Sequence, residues 1–183
     1  MNSNTSILII GDVMLDQYVS GSVSRISPEA PVPVLKVEKE WSTLGGAANV
    51  AANVASLGAK AVLVGLVGDD SSSALIQEKC VEQKIEQHLV KSSQPTITKT
   101  RIVSGHQIVR VDREEKLVWS DAQLAELAAN LERLILASDI VLLSDYAKGT
   151  LSNQVLSLVF DLAKRAEKRI LVDPKREDWA PYS

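Results

Sequence analysis

Cysteine occurs once in the 183 residues, at Cys80, and histidine twice, at His88 and His106. A lone thiol makes no internal disulfide, and this set supplies no Cys/His cluster for a structural zinc. Aromatic residues are 4% of the chain and the net charge is −3. A nucleic-acid face needs clustered Lys and Arg with rings to stack bases, so nucleic acid is not an expected partner. No apolar run reaches the length of a membrane span, and the opening MNSNTSILIIGD has neither the basic n-region nor the long apolar core of a signal peptide. A cytoplasmic protein with no membrane partner is the expectation. Common phosphate and nucleophile motifs are missing as well: no GxGxxG follows a strand, and neither GxxxxGK[ST] nor GxSxG occurs.

What is present is ordinary for a globular chain, with 45% hydrophobic and 23% charged residues. Short, continuous apolar runs at 7–10, 61–67, 140–143 and 170–172 read as strands buried on both faces, the mark of a parallel sheet. Helical patterns lie between them at 46–57, 70–84, 121–136 and 151–168. Ser120 with Gln123 fits a capping box, and Gly58 fits a left-handed helix end. This alternation predicts an α/β domain with right-handed crossovers. Two segments break it. Residues 18–40 and 96–112 have period-two character, prolines in the first and a turn near 104–107 in the second, and predict a small accessory sheet.

Open α/β sheets bind ligands beyond the carboxyl ends of their strands, and several polar residues map there. Asp12 and Asp16 follow the first strand, where a carboxylate either accepts hydroxyls of a polyol or caps a loop. In GGAANVAANVASLG, Gly45 and Gly46 permit unusual φ and close backbone approach, and Asn49 stands one turn into the next helix. Close helix-to-sheet packing is served by the same small residues. Two further strands end in Asp145 with Lys148 and in Asp173 with Lys175.

The stretch from Gly45 to Gly68, with its glycine pair, Ala47, Asn49, Ala51 and Gly58 at fixed spacings, resembles the N-terminal signature of the ribokinase (phosphofructokinase-B) family of carbohydrate kinases. GDVMLDQY, SRISPEAPVPV, PTITKTRIV, LSDYAKG and VDPK extend that resemblance over nearly the whole chain, toward the heptose-phosphate branch. The resemblance implies a three-layer ribokinase-like fold, with a mostly parallel central sheet and the accessory strands as a β lid. It implies phosphoryl transfer from ATP with Mg²⁺ to O1 of D-glycero-D-manno-heptose 7-phosphate. On this basis Asp12, Asp16, Gly45, Gly46 and Asn49 contact the sugar. Arg101, Arg110, Lys148 and Lys175 offset its phosphate, and Asp145 acts as a hydrogen-bond or metal-water partner. A homodimer through the lid is implied too.

The family's second signature, a glycine-rich stretch ending in the general-base aspartate, has no counterpart here: no GAGD-like run occurs. No residue of this chain is therefore expected to be the catalytic base or a direct metal ligand. The whole of 1–183 reads as the N-terminal part of one kinase domain, carrying the sugar side of the site without its catalytic side. An unpaired sheet edge and self-association are further expectations. Another sugar or nucleoside acceptor, or a non-catalytic sugar-phosphate-binding or dimerising module, stays open at this point.

Overall fold

The computed structural model describes residues 5–175 and 177–182. In chain order its elements are β1 (Ser6–Gly11), β2 (Val13–Ile26), β3 (Pro33–Gly46), α1 (Ala47–Ser56), β4 (Lys60–Gly68), α2 (Ser71–Glu82) and β5 (Glu86–Ser92). There follow β6 (Ile97–Ser104), β7 (His106–Arg113), α3 (Asp121–Leu136), β8 (Ile140–Asp145), α4 (Asn153–Arg165), β9 (Arg169–Pro174) and a 3₁₀ turn at Ala180–Tyr182. The central sheet is parallel throughout, in the order β5-β4-β1-β8-β9.

Side chains of an extended strand alternate between faces, and β1 feeds two cores. Ile7 and Ile9 pack with Ala47, Ala48, Ala51, Ile76 and Cys80 of α1 and α2. Leu8 and Ile10 pack with Leu127, Leu131, Val155 and Val159 of α3 and α4. The result is three layers, helices on both faces of one sheet, as the alternation predicts. The expected helix signals are also in place. Ser120 and Gln123 form the reciprocal capping box of α3, and Gly58 follows α1 with φ 85°.

The second sheet has the order β3-β2-β6-β7, with β2 and β6 parallel and the other pairs antiparallel. Its turn at Gly105, φ 70°, lies inside the expected 104–107. The strands are longer than 18–40 suggested: β2 starts at Val13 and β3 runs to Gly46, so Asp16 and the glycine pair sit on lid strands themselves. One residue, Asp12, separates β1 from β2. Strand β5, absent from the sequence reading, is an edge strand paired only with β4. Its sequence EQHLVKS, with only Leu89 and Val90 apolar, lacks the continuous apolar run that marks an inner strand. At the other edge lies β9. Among the described residues no helix is long and apolar enough to cross a membrane.

Candidate functional site

Asp12 is wholly buried. Its Oδ2 accepts the backbone N–H of Tyr146 at 2.8 Å and of Lys148 at 3.0 Å, and its Oδ1 that of Thr150 at 3.0 Å. A carboxylate so enclosed has its charge met by three fixed donors. It holds the loop after β8 against the end of β1 and does not face open space, which departs from the expected sugar contact and fits the loop-capping alternative. The same loop contains Ala147 at φ 58° and Gly149 at φ 112°, and a Cβ on Gly149 would lie 2.1 Å from the Leu117 carbonyl oxygen. Leu117 N–H in turn donates to Lys148 O at 2.8 Å, and Trp119 Nε1–H to Thr150 O at 2.8 Å.

Asp16 is the carboxylate that remains accessible. It stands on β2 and accepts from Arg101 Nη1 at 2.5 Å. That bond, ahead of smaller effects, raises the Arg101 pKa. The two glycines have packing reasons of their own. A Cβ on Gly45 would come within 2.6 Å of Asp16 Oδ2, and one on Gly46, at φ 55°, within 2.2 Å of the Asp12 carbonyl oxygen. Gly45 thus leaves room for the Asp16 carboxylate, and Gly46 takes the left-handed turn from strand to helix. Helix α1 has no side-chain cap at Gly46, and Asn49 is exposed in its first turn. Ala47, Ala48 and Ala51 are buried against the sheet, the close packing that small residues allow.

The basic residues are paired. Arg101 and Arg110 face each other across β6 and β7, and like charges so placed repel; Arg101 turns to Asp16, and Arg110 Nε to Asp112 at 2.8 Å. Lys148 Nζ meets Glu114 at 2.7 Å, and its bond, the largest influence, holds that carboxyl below the usual range. Lys99 lies 3.7 Å from Asp112 and 3.6 Å from Glu114. Sequence reasoning missed Lys99 and Glu114. The alternation in TITKTR, which puts Lys99 and Arg101 on one face of β6, was the signal for the first; Glu114 lies beyond the expected lid. Lys175 is exposed after β9, with its N–H bonded to Asp145 O at 3.0 Å. Asp145 is buried, accepting Ala147 N–H at 2.6 Å and the Tyr182 hydroxyl at 2.5 Å. Tyr146 is also at this edge: burial, then Asp173, Asp16 and Asp12, push its hydroxyl pKa up. By contrast Cys80 is in the core, its thiol pushed up to about 11 by burial, and stays protonated at neutral pH.

The arrangement is a carboxylate presented on a lid strand near a helix start that has no side-chain cap, held by Arg101, with Lys99, Arg110 and Lys148 paired to Asp112 and Glu114. Such groups bind hydroxyls and anions. Among the described residues no group of three or more His, Cys, Asp or Glu side chains is placed to hold a metal ion.

Comparison with known proteins bears on the family and the fold. The family model for pfkB family carbohydrate kinases matches residues 4–182. The bifunctional protein HldE of Caulobacter vibrioides is 51% identical over 180 residues, which are 97% of this chain and 37% of that protein. HldE of Azorhizobium caulinodans is 47% identical over 96% of this chain and 38% of its own length. The chain therefore spans well under half of the curated relatives it matches. Among solved structures, the tetrameric inhibited form of phosphofructokinase-2 from Escherichia coli superposes with TM-score 0.70 at 16% identity, over 97% of this chain and 57% of that one. Arabidopsis thaliana ribokinase, complexed with ribose and ATP, gives 0.62 at 17%, over 93% and 53%. The family model and these relatives cover almost the entire sequence, and the chain belongs to the pfkB family of carbohydrate kinases.

Proposed function

We propose that the chain carries the acceptor side of a kinase for D-glycero-D-manno-heptose 7-phosphate, in the route to ADP-heptose and lipopolysaccharide core. The observation that carries this reading is Asp16, which is seated over Gly45, held by Arg101 and left open to a ligand. An ionised carboxylate there accepts two vicinal sugar hydroxyls, and Asn49 at the start of α1 adds an amide. Lys99, Arg101, Arg110 and Lys148 lie in one charged cluster on the lid and loop and offset the substrate's phosphate. The heptose follows from the resemblance of SRISPEAPVPV and LSDYAKG. Asp12 acts by shaping the 146–150 loop.

ATP with Mg²⁺ is the donor in this reading and supplies the γ-phosphoryl group. In this reading the chain's own part is to bind and orient the acceptor, and positioning together with charge stabilisation is how phosphoryl transfer is catalysed. A cytoplasmic location belongs to the same reading. So does a homodimer through the lid, whose β7 exposes Val109 and Val111.

Calorimetric titration with heptose 7-phosphate, and separately with ATP and Mg²⁺, tests the proposal. Binding of the heptose that is weakened by Asp16→Asn supports it. Preference for fructose 6-phosphate or ribose, or no response to any sugar phosphate, overturns it.

A further inference from the structure

Aromatic residues are scarce in this chain, yet a Tyr and a Trp are spent together on the lid. Tyr18 of β2 lies opposite Trp41 of β3 and opposite Arg101 of β6. Their rings are stacked, with centroids 4.9 Å apart and planes within 2°. The Arg101 guanidinium lies 5.4 Å from the Tyr18 centroid, and Lys39 Nζ 5.3 Å from that of Trp41. A cation, two rings and a second cation thus form one row across three strands, although Trp41 is 39% exposed.

The row ends on the site. Asp16 is two residues before Tyr18, on the same face of β2, and takes the Arg101 bond. Arg101 also feels a weaker attraction to Asp112 on the neighbouring strand, which Lys99 and Arg110 already share. A long guanidinium between two carboxylates divides its time between them unless something fixes its plane. A ring beneath it, itself immobilised by a parallel neighbour, does so. We propose that Tyr18 and Trp41 form a rail that holds the Arg101 guanidinium on Asp16, which makes Tyr18 a positioning residue for the acceptor-binding carboxylate. This rests on the reading of Asp16 as the acceptor contact.

The test has a ligand-free arm and a ligand arm. In the first, ¹⁵N NMR of the Arg101 side chain shows slow guanidinium rotation in the wild type and in Tyr18→Phe, and fast rotation in Tyr18→Leu. Arg101 remaining locked in Tyr18→Leu overturns the rail. In the second, Tyr18→Leu weakens heptose 7-phosphate binding about tenfold, the scale of one cation–π contact at a half-buried site, while Tyr18→Phe stays near wild type. Val19→Ala, on the opposite face of β2, serves as the control for general loosening of the lid. An equal loss of affinity in that control at a matched melting temperature overturns the positioning role. A wild-type chain that binds no heptose 7-phosphate overturns the acceptor reading instead, and the guanidinium signal alone then decides the rail.

Discussion

Replacing Asp12 by Asn is the sharpest test of the site's construction. The carboxylate takes three backbone N–H groups, two on Oδ2 and one on Oδ1, all from residues 146–150. An amide keeps one acceptor oxygen. Its best placement retains the Tyr146 and Lys148 bonds as neutral ones and points an NH₂ at the Thr150 N–H, donor against donor. A buried donor left unsatisfied costs about 1–3 kcal/mol, and loss of charge assistance weakens the other two bonds. We expect a destabilisation of about 2–3 kcal/mol, a fall in melting temperature of about 4–12 °C for a chain of this size. Asp12→Ala, which orphans all three donors, should cost more. The assay is urea unfolding combined with amide hydrogen exchange at residues 146, 148 and 150, whose protection should drop together. An Asp12→Asn chain with wild-type stability and protected amides, but with lost sugar binding, would refute this reasoning and restore Asp12 as a direct sugar contact.

Gly45→Ala should push the Asp16 carboxylate aside and weaken acceptor binding more than it lowers stability, while Gly46→Ala, strained by φ and by backbone contact, should destabilise by about 2 kcal/mol or more; calorimetry and thermal unfolding separate the two. Burial pushes Asp70 upward, but the Thr96 and Ser73 N–H bonds and the Thr96 hydroxyl together outweigh it and hold the group below its ordinary value. A depressed folded pKa stabilises above the unfolded value of about 4 and is lost as the pH falls through the folded one. Asp70→Asn should therefore lower the urea midpoint at pH 7, and its deficit should shrink below pH 4. Trp119→Phe removes the donor to the Thr150 carbonyl and should cost about 1–3 kcal/mol in urea unfolding.

Continuous apolar runs located four of the five central strands: β1 and β4 are buried on both faces and have no polar side to disguise them, whereas β9 keeps its run at the sheet edge with Leu171 exposed. EQHLVKS escaped the same reasoning because, as an edge strand, it has only Leu89 and Val90 as adjacent apolar residues among polar ones such as Glu86, Gln87 and Lys91. The lid was legible as period-two sequence, but its ends were not: β2 and β3 carry Asp16 and Gly45 into the sheet because Gly65 of β4, where a Cβ would come within 2.6 Å of Val13 Cγ2, lets the start of β2 lie close. Of the site, residue types were readable and their partners were not. Nothing local distinguishes Asp12 from Asp16, since the donors that enclose Asp12 come from more than 130 positions away. The pairing of Arg101 with Asp16 depended on cross-strand register, which alternation alone leaves undetermined, whereas Arg110 and Asp112 are two residues apart on one face of β7.

The position of β1 has a consequence for synthesis. It is made before the other strands of the sheet, and β4 completes one of its sides once Val64 has emerged. Its other side waits for β8, and the Ser6 N–H for Asp139, 133 residues later. At about 5–20 residues per second that interval is roughly 7–27 s. During it, Asp12 too is without the loop that neutralises it. The most interior strand of the finished sheet is the longest-lived open edge of the nascent chain, and ribosome-bound lengths ending before and after residue 145 should differ sharply in protease resistance.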